Sequence, residues 1–169
     1  MSGNTALVQE LEDDHTGQYL TFTLADETYA VEILRIQEIK GWEPATPIPN
    51  TPDYIRGVMN LRGTIVPVVD LRIRFGLPEL EYGPTTVVVV LKIYVDDRER
   101  IMGLIVDGVA DVFNIGPGEL QGPPDFGTDA NTRFLRGLAT VEEQMVIVLD
   151  VDAVIAAEEL NIGGSADES

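Results

Sequence analysis

The 169 residues are 44% hydrophobic and 24% charged, close to the globular average, and the length fits one ordinary domain or two small ones. Acidic residues outnumber basic ones 29 to 11, a formal charge of −18. Such a field repels phosphate backbones and anionic headgroups, which argues against nucleic-acid binding and against polybasic docking on a membrane.

Chain chemistry narrows the field further. With no cysteine there is no disulfide framework, thiolate zinc site or cysteine nucleophile. The single histidine, His15, lies in a polar N-terminal stretch, and the three serines, Ser2, Ser165 and Ser169, are confined to the ends. The middle of the chain therefore has no serine, cysteine or histidine for nucleophilic or imidazole chemistry. Carboxylates are plentiful, but no spacing resembles a metal loop, and no phosphate-binding glycine motif occurs. A non-catalytic protein with no cofactor and no metal is expected. The first residues lack a secretory signal and no apolar run reaches the ~18–20 residues of a membrane span, so a cytoplasmic location without membrane insertion is the default.

In chain order, residues 1–17 read as a disordered tail. Tyr19–Leu24 and Tyr29–Ile33 alternate as two strands joined by a tight turn at Ala25–Thr28. Thr51–Pro52–Asp53 followed by YIRGVMNL has the grammar of a capped helical turn stopped early by Gly57. Thr64–Val69 reads as a strand, and Thr85–Leu91 (TTVVVVL) as one buried on both faces. Ile101–Val106 and Gln144–Val148 complete the strand signals. Asp152 is placed to cap a C-terminal helix over AVIAAEEL, with Val154, Ile155 and Leu160 on its apolar face, and residues 161–169 read as a second disordered tail.

Sliding the chain against itself exposes a repeat. At an offset of 80, Tyr54–Leu71 lies over Phe134–Val151 without a gap, matching Tyr54 with Phe134, Arg56–Gly57 with Arg136–Gly137, and Asp70 with Asp150. At an offset of 73, Ala30–Ile39 lies over Gly103–Val112, matching Glu38 with Asp111. The extra seven residues fall in a Gly- and Pro-rich stretch around Pro117–Asn131, as a tolerated loop insertion should. Two small β units of five strands each are expected, residues 18–84 and 85–160. A barrel of ~70 residues has a thin core, so the two should pack together around a groove.

Residues kept in both copies are read as structural. Arg56 and Arg136, with Asp70 and Asp150, suggest a turn-to-strand ion pair or backbone hydrogen bonding ahead of a binding role. The tip Asn60–Leu61–Arg62–Gly63 breaks the match, since the second copy has Thr140–Val141–Glu142–Glu143. A cation on a glycine-containing tip of so acidic a protein is a candidate partner contact, with a solvated turn residue as the alternative. Glu38, between Ile36 and Ile39, reads either as the solvated face of a strand or as the charged rim of an apolar recognition surface.

The run from Tyr19 through NTPDYIRGVMNLRGTIVPVVDLR resembles the chemotaxis coupling proteins of the CheW family, and IMGLIVDGVADVF resembles their second-barrel segment. The resemblance spans about Gln18 to Leu160. It implies an all-β fold of two tandem SH3-like five-stranded barrels with a short C-terminal helix. It also implies an adaptor linking the cytoplasmic tip of methyl-accepting chemotaxis receptors to the histidine kinase CheA in receptor arrays. Motif matching then places receptor contacts at Ile36, Glu38, Gly57, Arg62, Val88 and Val112. Kinase contacts fall at Val31, Ile33 and Ile39, with Gln121 and Phe126 in a loop, QGPPDF, that lacks the arginine associated with that interface. A CheW-like module of another chemosensory pathway and a small-ligand-binding barrel stand as alternatives. Whether Tyr19–Leu24 completes the first barrel or the second is open at this stage. The acidity is spread evenly, with 13 acids against 6 bases up to residue 84 and 16 against 5 after it, which suggests adaptation to a salty cytoplasm.

Overall fold

The structure, a computed structural model, describes residues 17–78, 81–122 and 134–154. Both expected tails, the Phe126 loop and the body of the expected C-terminal helix lie outside the described residues. Ten strands run in chain order: β1 (Gln18–Leu24), β2 (Glu27–Glu32), β3 (Ile36–Gly41), β4 (Ile55–Leu61), β5 (Thr64–Asp70), β6 (Val87–Val95), β7 (Arg98–Val106), β8 (Gly108–Asn114), β9 (Leu135–Val141) and β10 (Gln144–Leu149). One helical turn, α1 (Leu71–Arg74), follows β5.

Four of the connections are two-residue hairpin turns with both central residues at positive φ: Ala25–Asp26, Arg62–Gly63, Asp96–Asp97 and Glu142–Glu143. This is the type I′ turn, whose twist matches that of the strands it joins. Three of the four are made without glycine, at a cost of about 1 kcal/mol per residue forced into the left-handed region. Strand pairing on both sides holds them there.

Strands β4 and β9 occupy the positions where the sequence suggested a helical turn and left the second copy unassigned. Residues 55–61 alternate between buried and exposed, the period of a half-buried strand, and pair with β5. The helical reading fails because the local cap-and-proline grammar of Thr51–Asp53 covers only a turn, which the Ile55 N–H closes by donating to the Pro52 carbonyl, while Gly57–Leu61 pair with β5 and Val58 exchanges backbone hydrogen bonds with Thr46. The segment that Asp152 is expected to cap lies outside the described residues; its carboxylate accepts from Arg35 and the Tyr94 N–H, and Asp150 caps the 3-10 turn Val151–Ala153 by accepting the Asp152 N–H.

The two curled sheets have the orders β3-β6-β7-β5-β4, barrel I, and β8-β1-β2-β10-β9, barrel II. They interleave along the chain rather than dividing near residue 84. Each repeat lends its first hairpin to the other: β1 and β2 complete barrel II, and β6 and β7 complete barrel I. The exchange is closed by parallel pairing of β2 with β10 and of β7 with β5. The two repeats thus wrap reciprocally, and the offsets of 73 and 80 in the sequence become the same strand order in the two sheets, each strand of one replaced by its equivalent from the other repeat.

Exchange dictates where the core lies. The largest cluster draws Leu20, Phe22, Tyr29 and Val31 from the first hairpin, Val69 and Leu71 from β5 and α1, Val89, Leu91 and Leu104 from the second hairpin, and Leu149 from β10. Smaller clusters fill each barrel, with Met59, Val66, Val68, Val88 and Val90 in barrel I and Tyr19, Ala30, Ala139, Val146 and Val148 in barrel II. Strand β6 is apolar on both faces for this reason: Val88 and Val90 belong to the barrel I cluster while Val89, Leu91 and Ile93 belong to the shared core. Aromatic rings run through that core from Phe22 to Tyr29, Phe75 and Phe134, with centroids 5.9, 5.8 and 5.5 Å apart. Arg74 lies over the equivalent rings Tyr54 and Phe134, 4.3 and 4.6 Å from their centroids, so one guanidinium serves both repeats.

Two clasps tie the barrels at their margins. Arg72 donates from Nε and an Nη to both oxygens of Asp107 at 2.8 and 2.7 Å, and Asp107 also accepts the Ala25 N–H at 2.9 Å. Arg35 donates to both oxygens of Asp152 at 2.7 and 2.9 Å, and Asp152 also accepts the Tyr94 N–H at 2.8 Å. Burial works to raise the pKa of both carboxyls, but the hydrogen bonds from arginine and backbone outweigh it, and both end below their ordinary value. The retained aspartates serve the backbone. Asp70 accepts from the Arg72 and Ile73 N–H groups and, at 2.6 Å, from the Tyr82 hydroxyl, while its own N–H donates to the Tyr54 carbonyl. Asp150 repeats this with the Asp152 N–H and the Phe134 carbonyl. Of the two structural readings, backbone hydrogen bonding accounts for both.

These contacts generate two expected outcomes. Asp70→Ala removes a cap from a buried carboxylate position and should cost about 1–3 kcal/mol, read as a lower urea midpoint at unchanged m. The depressed Asp107 and Asp152 stabilise the fold fully above the unfolded carboxyl pKa of ~3.9 and lose that contribution as pH falls through their lower folded values. Melting temperatures should therefore drop more steeply below pH ~4 in the native chain than in an Asp107→Asn/Asp152→Asn variant.

Candidate partner-binding surface

Strand β3 and the β4–β5 tip bring together the two charged residues that sequence reasoning singled out. Pairing with β6 carries a register shift between Ile36 and Glu38, and β3 alternates half-buried and exposed positions. Arg62 is the first turn residue, at φ 54°, and the turn is held by the Gly63 N–H donating to the Asn60 side chain at 2.7 Å. From there an Arg62 Nη lies 2.9 Å from Glu38 Oε1; the Arg62 side chain is 79% exposed and that of Glu38 24%. The pair therefore sets a mostly exposed guanidinium over a mostly covered carboxylate.

Exposed apolar side chains recur at equivalent positions of the two repeats. Ile39 on β3 corresponds to Val112 on β8, and both are exposed. Ile65, just after the first tip, corresponds to Met145 after the second, at 58% and 59% exposure. Leu34 and Tyr94 are also exposed, and Tyr94 carries the Arg35 guanidinium 5.0 Å above its ring. Sequence reasoning does not single out Ile65 and Met145. Their signal is nevertheless present, because an apolar residue on the outward phase of an alternating strand occurs at the same offset in both copies.

Several expected contacts lie elsewhere. Val88 is fully buried inside barrel I, and Val31 is fully buried in the shared core, so neither side chain is available to a partner. Gly57 is also buried; at φ 135° a Cβ there would sit 2.3 Å from the Thr46 carbonyl oxygen. Gly137 repeats that approach against the Gln121 carbonyl, also at 2.3 Å, and the crossing segments form matching isolated bridges, Thr46 with Val58 and Gln121 with Leu138. Both glycines are backbone-crossing residues. Ile36 packs against the shared core, Ile33 is half-buried in the 3-10 turn Ile33–Arg35, and the Gln121 side chain is exposed. Arg136 pairs with Glu32 of β2, while Arg56 lies 5.9 Å from the centroid of the Tyr82 ring. Tyr82 packs on Trp42 at 4.4 Å, and burial together with its bond to Asp70 pushes the phenol well above its usual range.

Among the described residues no group of three His, Cys, Asp or Glu side chains could hold a metal ion, and no helix is long and apolar enough to cross a membrane. Filled barrels with charged and apolar residues on their outer strands define a double-barrel recognition module. Residues 18–159 match the family model described as the CheW-like domain. The chain is 40% identical to a chemotaxis protein CheW from Klebsiella aerogenes, over 92% of each chain, and 34% identical to one from Rhizobium meliloti, over 84% of this chain and 89% of that one. It superposes with a TM-score of 0.75 and 30% identity on the crystal structure of the scaffolding protein TtCheW from Thermoanaerobacter tengcongensis, covering 85% of this chain and 90% of that one. The chain belongs to the CheW-like family.

Gly57→Ala separates a structural glycine from a contact residue. The strained φ and the clash with Thr46 should cost about 2–4 kcal/mol, so the variant's melting temperature should fall even with no partner present.

Proposed function

We propose that this protein is a non-catalytic chemotaxis adaptor that couples the cytoplasmic tip of methyl-accepting receptors to the histidine kinase CheA, and that it is recruited from the cytoplasm to receptor arrays. The observation that carries the reading is the Glu38–Arg62 pair, an exposed cation on a tight hairpin tip over a mostly covered carboxylate. An amphipathic receptor helix can add charges of its own to this ion pair and lay an apolar stripe along the side chains beside it. Family membership supports the adaptor role, since the relatives are named as chemotaxis or scaffolding proteins.

Receptor contacts are assigned to Glu38 and Arg62, with Ile36 and Val112 at the margins. The Gly57 and Val88 assignments become supports of that surface. For the kinase, the accessible members of the expected set are Ile39 and Gln121, with Ile33 half-buried, and Val31 holds the strand behind them. Ile39 and Val112 are equivalent by the repeat, so the two barrels present related edges to different partners. A ligand-binding barrel is disfavoured because Val66, Val68, Val88 and Val90 fill barrel I and Val146 and Val148 help to fill barrel II. Service in a different chemosensory pathway would use the same surfaces.

Arg62→Glu should weaken binding to a receptor signalling domain by at least about tenfold, since it places two carboxylates together at the rim, while leaving the melting curve and kinase binding nearly unchanged. Pull-down with the receptor domain and with CheA tests the whole reading. Binding to neither would end it, and unaltered receptor binding by the variant at low salt would remove Arg62 from the contact.

A further inference from the structure

The two clasps occupy equivalent places with opposite polarity. Each lies just past the C-terminal ends of the parallel strand pair that closes the exchange. In barrel I, Asp70 of β5 is level with Ile105 of β7, and two residues further on Arg72 meets Asp107. In barrel II, Val148 of β10 is level with Ala30 of β2, and beyond the strand ends Asp152 meets Arg35. Arg72 and Asp152 are matched positions at the offset of 80. Thus the strand that receives a hairpin ends in a cation in one repeat and an anion in the other, and the hairpins carry the complementary charges.

We propose that this reversal is a charge code that selects the exchanged pairing of hairpins over the unexchanged one. The repeats are similar enough that either hairpin offers either three-strand segment what it needs to bury, since each of β1, β2, β6 and β7 carries a run of four or five consecutive buried residues. Pairing β1–β2 with β3–β5, within a chain or between two copies, would set Arg35 beside Arg72. Pairing β6–β7 with β8–β10 would set Asp107 beside Asp152. Both wrong pairings place like charges at a partly buried site where the carboxylate also needs a backbone donor, and only the reciprocal exchange satisfies all four. Neighbouring charges do not blur the code. Asp70 and Asp26 face Arg72, Glu32 faces Arg35, and Arg136 faces Asp152; Asp70 and Glu32 lie within three residues of their arginines along the chain and so accompany them in either pairing.

The test inverts polarity while keeping every ion pair. In Arg35→Asp/Asp152→Arg the native pairs survive as charges, but Arg72 can now also meet residue 35, and Asp107 residue 152. In the fourfold variant Arg35→Asp/Asp152→Arg/Arg72→Asp/Asp107→Arg, the code is restored in mirror form, although more backbone hydrogen bonds are lost. Each protein is unfolded in urea, refolded by dilution at micromolar concentration, and assayed for native monomer by size exclusion and near-ultraviolet dichroism. The code predicts that the twofold variant loses native monomer, by up to roughly half in the limit where both pairings form indifferently, with added slow phases or dimers. It also predicts that the fourfold variant recovers fidelity despite being the less stable at equilibrium. Fidelity that merely tracks stability, with the fourfold variant worst, overturns the proposal, as does uniform refolding of all three. If the inverted chains do not fold, Arg35→Gln/Asp152→Asn serves instead. It should lose fidelity beyond a Leu61→Ala variant matched to it in stability, and equal fidelity in the matched pair would overturn the proposal.

Discussion

Parallel pairing of β2 with β10 and of β7 with β5 is the constraint on which the molecule depends. A five-stranded unit of this size buries too little apolar surface to be secure alone. By lending its first hairpin to the other, each repeat converts two thin cores into one continuous cluster that contains residues from both halves, with Phe22, Tyr29, Phe75 and Phe134 as its aromatic axis. The Arg72–Asp107 and Arg35–Asp152 clasps are worth little as surface ion pairs in isolation. Their importance is positional, because each holds an N–H from a hairpin of the opposite barrel and so fixes one barrel against the other.

That rigidity matters for recognition. The outer strands β3 and β8 and the tips at Arg62 and Glu142 are set at fixed places by the exchange, so a partner meets preformed edges and little ordering is required on binding. The same architecture explains why related edges can serve different partners. Equivalent positions carry Glu38 with Arg62 in one barrel and Asp111 with Glu142 in the other, so two similar shapes present opposite electrostatic demands.

Much of this is legible in the chain. Alternation locates most strands, the uniformly apolar run at Val87–Leu91 announces a strand buried on both faces, and the offset repeat foretells the paired Gly57 and Gly137, whose shared role is the close backbone crossing. Other features depend on contacts that no local pattern encodes. Strand β4 begins with the grammar of a helix start, and only its ladder with β5 decides otherwise. The exchange itself is undetermined at the level of sequence, since both hairpins carry apolar runs that either segment could bury and the choice lies in parallel pairing at long range. Inside and outside are confused at Val31 and Val88 because a run that is apolar at every position carries no phase. Glu38 and Arg62 are identifiable as residues, but their approach to each other depends on the curl of barrel I.

Reciprocal exchange makes the two barrels a single cooperative body. Native-state hydrogen exchange across a series of low denaturant concentrations tests it directly, because amides of β2, β5, β7 and β10 report on both barrels at once. These four strands should share one opening free energy and one denaturant dependence, equal to those of global unfolding. Two groups that open separately, β5 with β7 apart from β2 with β10, would contradict it.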